Sequence, residues 1–425
     1  MTLQGIVMEL HTPTQPVPKS GVVWSDDRSI ASFQTDLSVS LNDLGTNTAN
    51  RDLVRIAVAV FLADRAFRRP RSWRRDIKVA VPVEKKRPWE AALGDLERLL
   101  GFLTGDRWQI ELVSVELDLP SAAPSHSDFE QYMLLSGGAD SLSGALTLAT
   151  ADQTCFVSRT DAGQPAARRQ LQRLWSADVS CVSRIVSPRS SATRGLVGRE
   201  PTSRSRSLLF FALGLLIAST KEAPLLVPEN GFASLNVPLV PERTGSHSTR
   251  TTHPRYIHQL RGILEAVGAH ADLSNPYADY TKGEMFNAVA KKWGPQEAST
   301  ALSASISCAK RSGLRVPKPE GTNHCGLCYG CLVRRAAFNA AGLTDQTLYY
   351  ANPHDEVGEP GRWHTAAQRV DISAFQFAVA AANRPTGAAD IRANLAATRL
   401  PSGSSYGDAV DLVKRGLDEI AQILP

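Results

Sequence analysis

The chain has 425 residues, of which 43% are hydrophobic and 21% charged, and a formal net charge of +5. That length leaves room for two or three domains, each with its own core, and the balance is that of an ordinary soluble globular protein. The longest apolar run, residues 208–218, is too short to span a bilayer and reads as a buried helix, so no membrane partner is expected. The first residues lack a charged stretch followed by an apolar one, which argues against secretion. Six cysteines, four of them in a metal-spaced set, argue for a reducing cytoplasm and against a disulfide scaffold.

In chain order, residues 1–45 are rich in Thr, Ser, Pro and Asn, and their short alternating stretches predict irregular strands. Leu53, Ile56, Ala57, Val60 and Phe61 repeat at helical spacing. Residues 77–83 alternate like a strand, 89–103 read as a helix and 108–117 as another strand. Residues 1–125 therefore form an α/β extension ending in a Pro/Ser linker at 120–124. It carries no motif tied to chemistry, and its expected role is to hold a partner or cover a site.

Arginine is unevenly placed. Arg65, Arg68, Arg69, Arg71, Arg74 and Arg75 form one run, and Arg184, Arg189, Arg194, Arg199, Arg204 and Arg206 a second. Such runs can bind nucleic acid, but a solvated face or pairing with distant acids is the commoner outcome. Nucleic acid is therefore a minor reading of the partners.

From residue 126 to 300 strands alternate with helices, which predicts a doubly wound parallel sheet. The first strand, near 132–135, runs into Ser136-Gly137-Gly138-Ala139-Asp140-Ser141, and Leu142, Ala145, Leu146 and Ala149 then mark one helix face. Two glycines on a strand-to-helix turn let the backbone approach an anion, and the helix amides point at it. Ser136 and Ser141 add hydroxyl donors. No GxxxxGK[ST] occurs, so this phosphate cradle is not a Walker loop. The plainer alternative is a Ser/Gly turn with Asp140 as a cap. A second strand, 224–227, ends in Glu229-Asn230-Gly231, which suits a polar heterocycle or is an ordinary turn. Thr281 and Glu284 form a capping box. The box does not require Lys282, whose charge suits a phosphate or carboxylate near the cradle.

Cys325, Cys328 and Cys331 form CxxCxxC, with Cys308 upstream. Four thiolates at short spacing suit a tetrahedral structural Zn²⁺ with no open position. An iron–sulfur cluster, unligated core cysteines, or His324 in place of Cys308 are the alternatives. Cys155 and Cys181 read as inert core residues. Residues 301–342 form this metal-binding segment. Residues 343–425 form a helical tail in which Val410, Val413, Leu417, Ile420 and Leu424 make one apolar stripe.

Together these motifs resemble the 7-cyano-7-deazaguanine synthase (QueC-like) family of PP-loop enzymes over roughly residues 130–342. The resemblance rests on Ser136 to Ser141, Arg206-Ser207-Leu208-Leu209-Phe210, Glu229-Asn230-Gly231, Tyr280 to Glu284, the four cysteines, and Arg334-Arg335-Ala336-Ala337-Phe338. It implies a PP-loop fold and ATP with Mg²⁺ as cofactor. It also implies an AMP- and pyrophosphate-forming C–N ligase acting on the carboxylate of 7-carboxy-7-deazaguanine. Ser136, Asp140, Ser141 and Lys282 would be catalytic, and the 136–141 loop, Arg206, Glu229, Asn230 and Gly231 would bind nucleotide or substrate. The chain departs from the family at Ser207, at residues 234–239 and in its long N-terminal extension. These departures resemble the Qat-type antiviral defence branch, where the acyl group could pass to an amine on a protein partner from the same operon. The alternatives are the plain synthase using ammonia, a tRNA-modifying PP-loop enzyme, and a non-catalytic ATP-sensing scaffold.

Overall fold

The computed structural model describes residues 4–11, 21–45, 47–70, 73–117, 129–159, 164–188, 200, 202, 204–240, 250–308, 324–355 and 369–425. The proposed linker at 120–124, Arg71, and Arg189, Arg194 and Arg199 lie outside these residues.

The N-terminal part holds β1 (Gln4–His11), β2 (Val22–Ser25), β3 (Phe33–Thr35), α1 (Thr48–Ala66), β4 (Asp76–Val83), α2 (Lys86–Thr104) and β5 (Arg107–Ser114). Strands pair in parallel in the order β2-β1-β4-β5. The short strands β2 and β3, in different sheets, fit the expectation of irregular strands in the first 45 residues, and β1 corrects it. β1 is a regular strand paired on both sides, because Ile6, Met8 and Leu10 point one way into the core. On the edge strand β5, buried Trp108, Ile110 and Leu112 alternate with exposed residues, as one covered face requires.

The central part runs β6 (Gln131–Leu134), α3 (Ala139–Leu148), β7 (Thr154–Arg159), α4 (Gln164–Trp175), β8 (Cys181–Arg184), β9 (Val186–Pro188), α5 (Arg206–Ala218), β10 (Leu225–Leu226), α6 (Gly231–Leu235), α7 (Pro254–Ala266) and β11 (Leu273–Ser274). Its five parallel strands are ordered β11-β10-β6-β7-β8, while β9 pairs antiparallel with β3. Strand alternation divides β6 between two cores. Tyr132 and Leu134 join the core of α5 and α7, whereas Met133 and the adjoining Leu135 join that of α3. The first of these cores also contains the N-terminal sheet and α1, so one continuous apolar interior joins the two sheets.

α8 (Lys282–Trp293), α9 (Pro295–Ser303) and α10 (Tyr329–Ala340) follow, then α11 (Val370–Ala382), α12 (Gly387–Thr398) and α13 (Tyr406–Ala421). The stripe on α13 is buried through Val410, Val413, Leu417 and Ile420, in a core shared with Phe232 of α6 and Leu332 of α10. Among the described residues no helix is long and apolar enough to cross a membrane.

Part of the first arginine run is absorbed internally. Arg69 grips both Asp106 carboxylate oxygens at 2.8 Å. Arg75 bridges Asp106, at 2.6 Å, and Asp64. Arg204 donates to the Thr104 carbonyl at 2.7 Å. Three of the twelve arginines singled out in the two runs thus hold loops of the N-terminal unit together rather than face a ligand.

Candidate functional site

The loop after β6 turns through Gly137, whose φ of +81° belongs to the left-handed region that glycine enters without strain. The Ile306 amide donates to the Gly137 carbonyl at 2.9 Å and ties the loop to the segment leading to Cys308. Ser141 Oγ donates to the Gly138 carbonyl at 3.1 Å and lies 3.1 Å from Ser136 Oγ. Gly138 is the N-cap of α3 and supplies no side-chain cap. The first-turn amides of α3 are thus left for an anion, which fits a phosphate cradle.

A turn between a strand and a helix suggests exposure for both Ser136 and Asp140. Ser136 is exposed, but Asp140 is buried, and this corrects the expectation. As the second residue of α3 it turns inward, and its Oδ2 meets the Lys282 ammonium at 2.7 Å. Lys282 is itself buried at the first position of α8. The predicted capping box is present there, with Thr281 and Glu284 each accepting the other's backbone N–H. The box fixes the helix start, and the helix start fixes Lys282.

Asn230 completes the group. Its Nδ2 donates to Asp140 Oδ1 at 2.9 Å, while its Oδ1 accepts from the Ala233 amide at 2.9 Å and caps α6. Glu229 stands beside them. Its backbone is held by Asn275, which accepts from the Glu229 amide at 3.2 Å and donates to its carbonyl at 2.7 Å. Burial, then the neighbouring Asp140 carboxylate, pushes the Glu229 carboxyl up to about 8 against the opposing pull of Lys282. Gly231 fits because a Cβ there would meet the Ala278 carbonyl at 1.8 Å. Thus Asp140, Lys282, Glu229 and Asn230 come together beside the loop. Arg206 does not join them: it is exposed at the start of α5 with its guanidinium over Phe210, and no contact with the loop occurs among the described residues.

The raised Glu229 carboxyl has a testable consequence. The folded state holds this proton to higher pH than the unfolded chain, whose carboxyl titrates near 4.5. Stability from this group is complete below that value and is lost as pH rises through about 8. Glu229→Gln should therefore lose less stability than wild type between pH 5 and pH 8.5, by a melting difference of about a few degrees. Equal losses in the two proteins would refute a shared proton at Glu229.

Three neighbours, Tyr329, Glu419 and Asn275, were not among the residues expected at the site. Tyr329, at the start of α10, stacks between Phe232 and Phe375, and burial, with Glu229 and Asp140 nearby, holds its hydroxyl protonated. Glu419 on α13 accepts from the Gly283 amide at 3.2 Å and from the Thr281 hydroxyl. Burial pushes its carboxyl up to about 7. The C-terminal helix therefore clamps the turn that presents Lys282. Asn275 directly follows β11, as Glu229 follows closely on β10, and a polar residue at a strand end was its available signal.

The four cysteine sulfurs lie within 4.8 Å of one another and could hold a metal ion. Cys325 and Cys331 sulfurs are 3.9 Å apart, and those of Cys308 and Cys328 4.0 Å. A tetrahedron with metal–sulfur bonds of ~2.3 Å has edges of about 3.8 Å, so the donor set fits. The amides of Cys325 and Cys328 donate to the sulfurs of Cys308 and Cys325, at 3.4 and 3.3 Å, which favours thiolates. His324 lies outside the set. Its Nε2 accepts from the Ser307 amide at 3.1 Å, and its ring packs edge-on to Tyr349. Cys155 is buried, which pushes its thiol up to about 12, while Cys181 is half-buried. Both lie on strands of the central sheet, away from the cluster.

Comparison with known proteins gives a consistent set of distant relatives. A 7-cyano-7-deazaguanine synthase from Brucella anthropi is 25% identical over 245 residues, covering 51% of this chain and 92% of that protein. One from Agrobacterium fabrum is 26% identical over 262 residues, covering 56% of this chain and 95% of that protein. Another, from Sinorhizobium fredii, is 33% identical over 92 residues, 22% of this chain and 30% of that protein. No protein-family model matches. At low identity, and over about half its length, the chain is therefore similar to nearly the whole of proteins named 7-cyano-7-deazaguanine synthase.

Proposed function

We propose that this protein is an ATP-dependent, AMP- and pyrophosphate-forming PP-loop enzyme. It activates the carboxylate of a 7-deazaguanine, such as 7-carboxy-7-deazaguanine, and transfers the acyl group to nitrogen. The observation that carries this reading is the uncapped N-terminus of α3 beside the buried Asp140–Lys282 pair, in a chain whose relatives bear that name. Parallel strands with helices in two separate cores support the wound PP-loop sheet.

A carboxylate is a poor electrophile because its leaving group would be oxide, and adenylation replaces oxide by AMP. The amides of residues 139–141 and the Ser136 and Ser141 hydroxyls offer donors where pyrophosphate charge develops, a fixed electrostatic stabilisation. Lys282 lends positive charge to the same region, held in place by Asp140. ATP would be taken with Mg²⁺, which shields its phosphates. Glu229, protonated near neutral pH, and Asn230 offer polar groups to the heterocycle. The four cysteines fit structural Zn²⁺, closed to substrate and holding the 305–308 segment against the loop.

The nitrogen acceptor is the finer point. The relatives match about half of this chain but almost all of themselves. The surplus favours an acceptor that must be held, such as an amine on a protein partner, over freely diffusing ammonia. Pyrophosphate release should be measured with 7-carboxy-7-deazaguanine, with and without ammonia, tRNA or a co-expressed operon partner. Release that requires tRNA would favour a tRNA-modifying enzyme, and none under any condition a scaffold. If ammonia gives the free nitrile efficiently and no partner gains mass, the plain synthase reading replaces protein transfer.

A further inference from the structure

Among the described residues, positive charge gathers without acids at the start of α7. Arg250 and Arg255 both lie over the Phe102 ring, with guanidinium carbon to centroid distances of 4.5 and 4.6 Å. Both side chains are half-buried. Arg250 donates to the Phe102 carbonyl at 3.0 Å, and Arg255 to the Thr398 carbonyl at 3.4 Å, and among the described residues most donors on each guanidinium meet no acceptor. Arg399, exposed, adds its charge beside Arg255. Among the described residues no carboxylate pairs with any of the three. Elsewhere buried Arg51, Arg55, Arg69 and Arg75 each meet an acid, and buried Arg334 fills its fork with the oxygens of Ser305, Leu302 and Thr347. A half-buried cation without a counter-charge is costly, so Arg250 and Arg255 together, with exposed Arg399 beside them, suit an external anion.

His253 lies within the same group. It caps α7 with Nδ1, which accepts the Arg255 amide at 3.1 Å, so Nε2 carries the ring proton. The residue is fully buried, and Nε2 has no acceptor among the described residues. Its ring packs edge-on to Phe102, the same ring both arginines cover. Burial, with Arg250 and Arg255 close by, pushes its pKa down to about 3, so it stays a neutral donor.

We propose that Arg250, Arg255 and Arg399, with the His253 Nε2–H, form a binding site for a phosphate group. A phosphate offers several charged oxygens, and paired guanidinium forks match it better than a single carboxylate would. The Phe102 ring holds two of the forks in place. The site is coupled to the α6 side of the cradle: Thr252 Oγ1 lies 2.9 Å from Ser234 Oγ on α6, the helix capped by Asn230. The phosphate could come from a small phosphate or phosphomonoester, or from a nucleic-acid backbone.

Two probes separate these sources. Inorganic phosphate is titrated calorimetrically into the full chain at low salt, and a labelled single-stranded RNA of mixed sequence is followed by anisotropy over rising salt. Wild type should bind at least one probe. Arg255→Ala and Arg399→Glu should weaken that binding about tenfold or more, and Arg173→Ala, at a surface arginine paired with Glu297 outside both sites, should leave it unchanged. Arg399 is exposed, so its substitution tests the site without threatening the core. Phosphate binding without RNA binding identifies a small-molecule source. RNA binding whose salt slope falls by about one per arginine removed identifies a polymer. If neither probe binds wild type, or if the arginine variants bind as wild type does, the proposal is wrong.

Discussion

Asp140→Ala should abolish pyrophosphate release and also weaken the fold. Its carboxylate is buried, 2.7 Å from the buried Lys282 ammonium and 2.9 Å from Asn230 Nδ2. Removing it leaves Lys282 with only the neighbouring Glu229 carboxyl for a partner, and breaking one partner of a buried pair costs up to about 3–5 kcal/mol. Lys282 would then turn away from the cradle, and a misplacement of about an ångström can cost on the order of a hundredfold in rate. The two losses can be separated. Lys282→Met in the Asp140→Ala background removes the stranded charge and should restore much of the stability. It should restore none of the turnover, because the cation itself is then gone. Urea unfolding and a coupled pyrophosphate assay read the two effects. Wild-type pyrophosphate release from Asp140→Ala would remove this pair from the mechanism.

Cys328→Ser should lose bound metal and, with it, both stability and turnover. Metal binding to four thiolates is part of the folding free energy, with apparent values of about 10–16 kcal/mol for structural zinc in small domains. A loss of several kcal/mol is expected here, because the surrounding core persists. Activity should fall although the metal has no open position. The knuckle anchors Cys308, and two residues earlier the Ile306 amide holds the Gly137 carbonyl at 2.9 Å. Buried Arg334, on the helix that carries Cys331, grips the Ser305 hydroxyl and the Leu302 carbonyl at 2.7 Å each. Elemental analysis should give about one zinc per chain, as a four-ligand site requires. Iron with a visible chromophore, or full activity in a metal-free chain, would overturn this account.

Much of the candidate site was readable because its signals are local. The strand, the glycine turn and the first helical face lie within about a dozen residues, and a turn that needs φ > 0 at Gly137 shows itself as glycine. The box at Thr281 spans one helical turn, and three of the four cysteines fall within seven residues. Arg206 was placed near the loop by resemblance alone, and its guanidinium instead rests on Phe210. Tyr329 and Glu419 gave no signal, since an aromatic beside a cysteine and an acid on an amphipathic helix are both commonplace.

The sequence by itself determined most of the elements, the glycine turn after β6 and the composition of the four-cysteine cluster. Each depends on periodicity, turn chemistry or ligand spacing among near neighbours. Only the tertiary structure decided what Asp140 does. Its partners come from the ends of other elements, with Asn230 ninety residues away, and they meet because β10 lies beside β6 and α8 packs on α3. Only it decided that Arg69 and Arg75 serve Asp64 and Asp106, while Arg250 and Arg255 meet no acid among the described residues. A charge in a sequence has no partner until chain segments far apart are brought within a few ångströms. At that range in a desolvated interior, the distance between groups, rather than their order along the chain, fixes whether they pair, titrate or wait for a ligand.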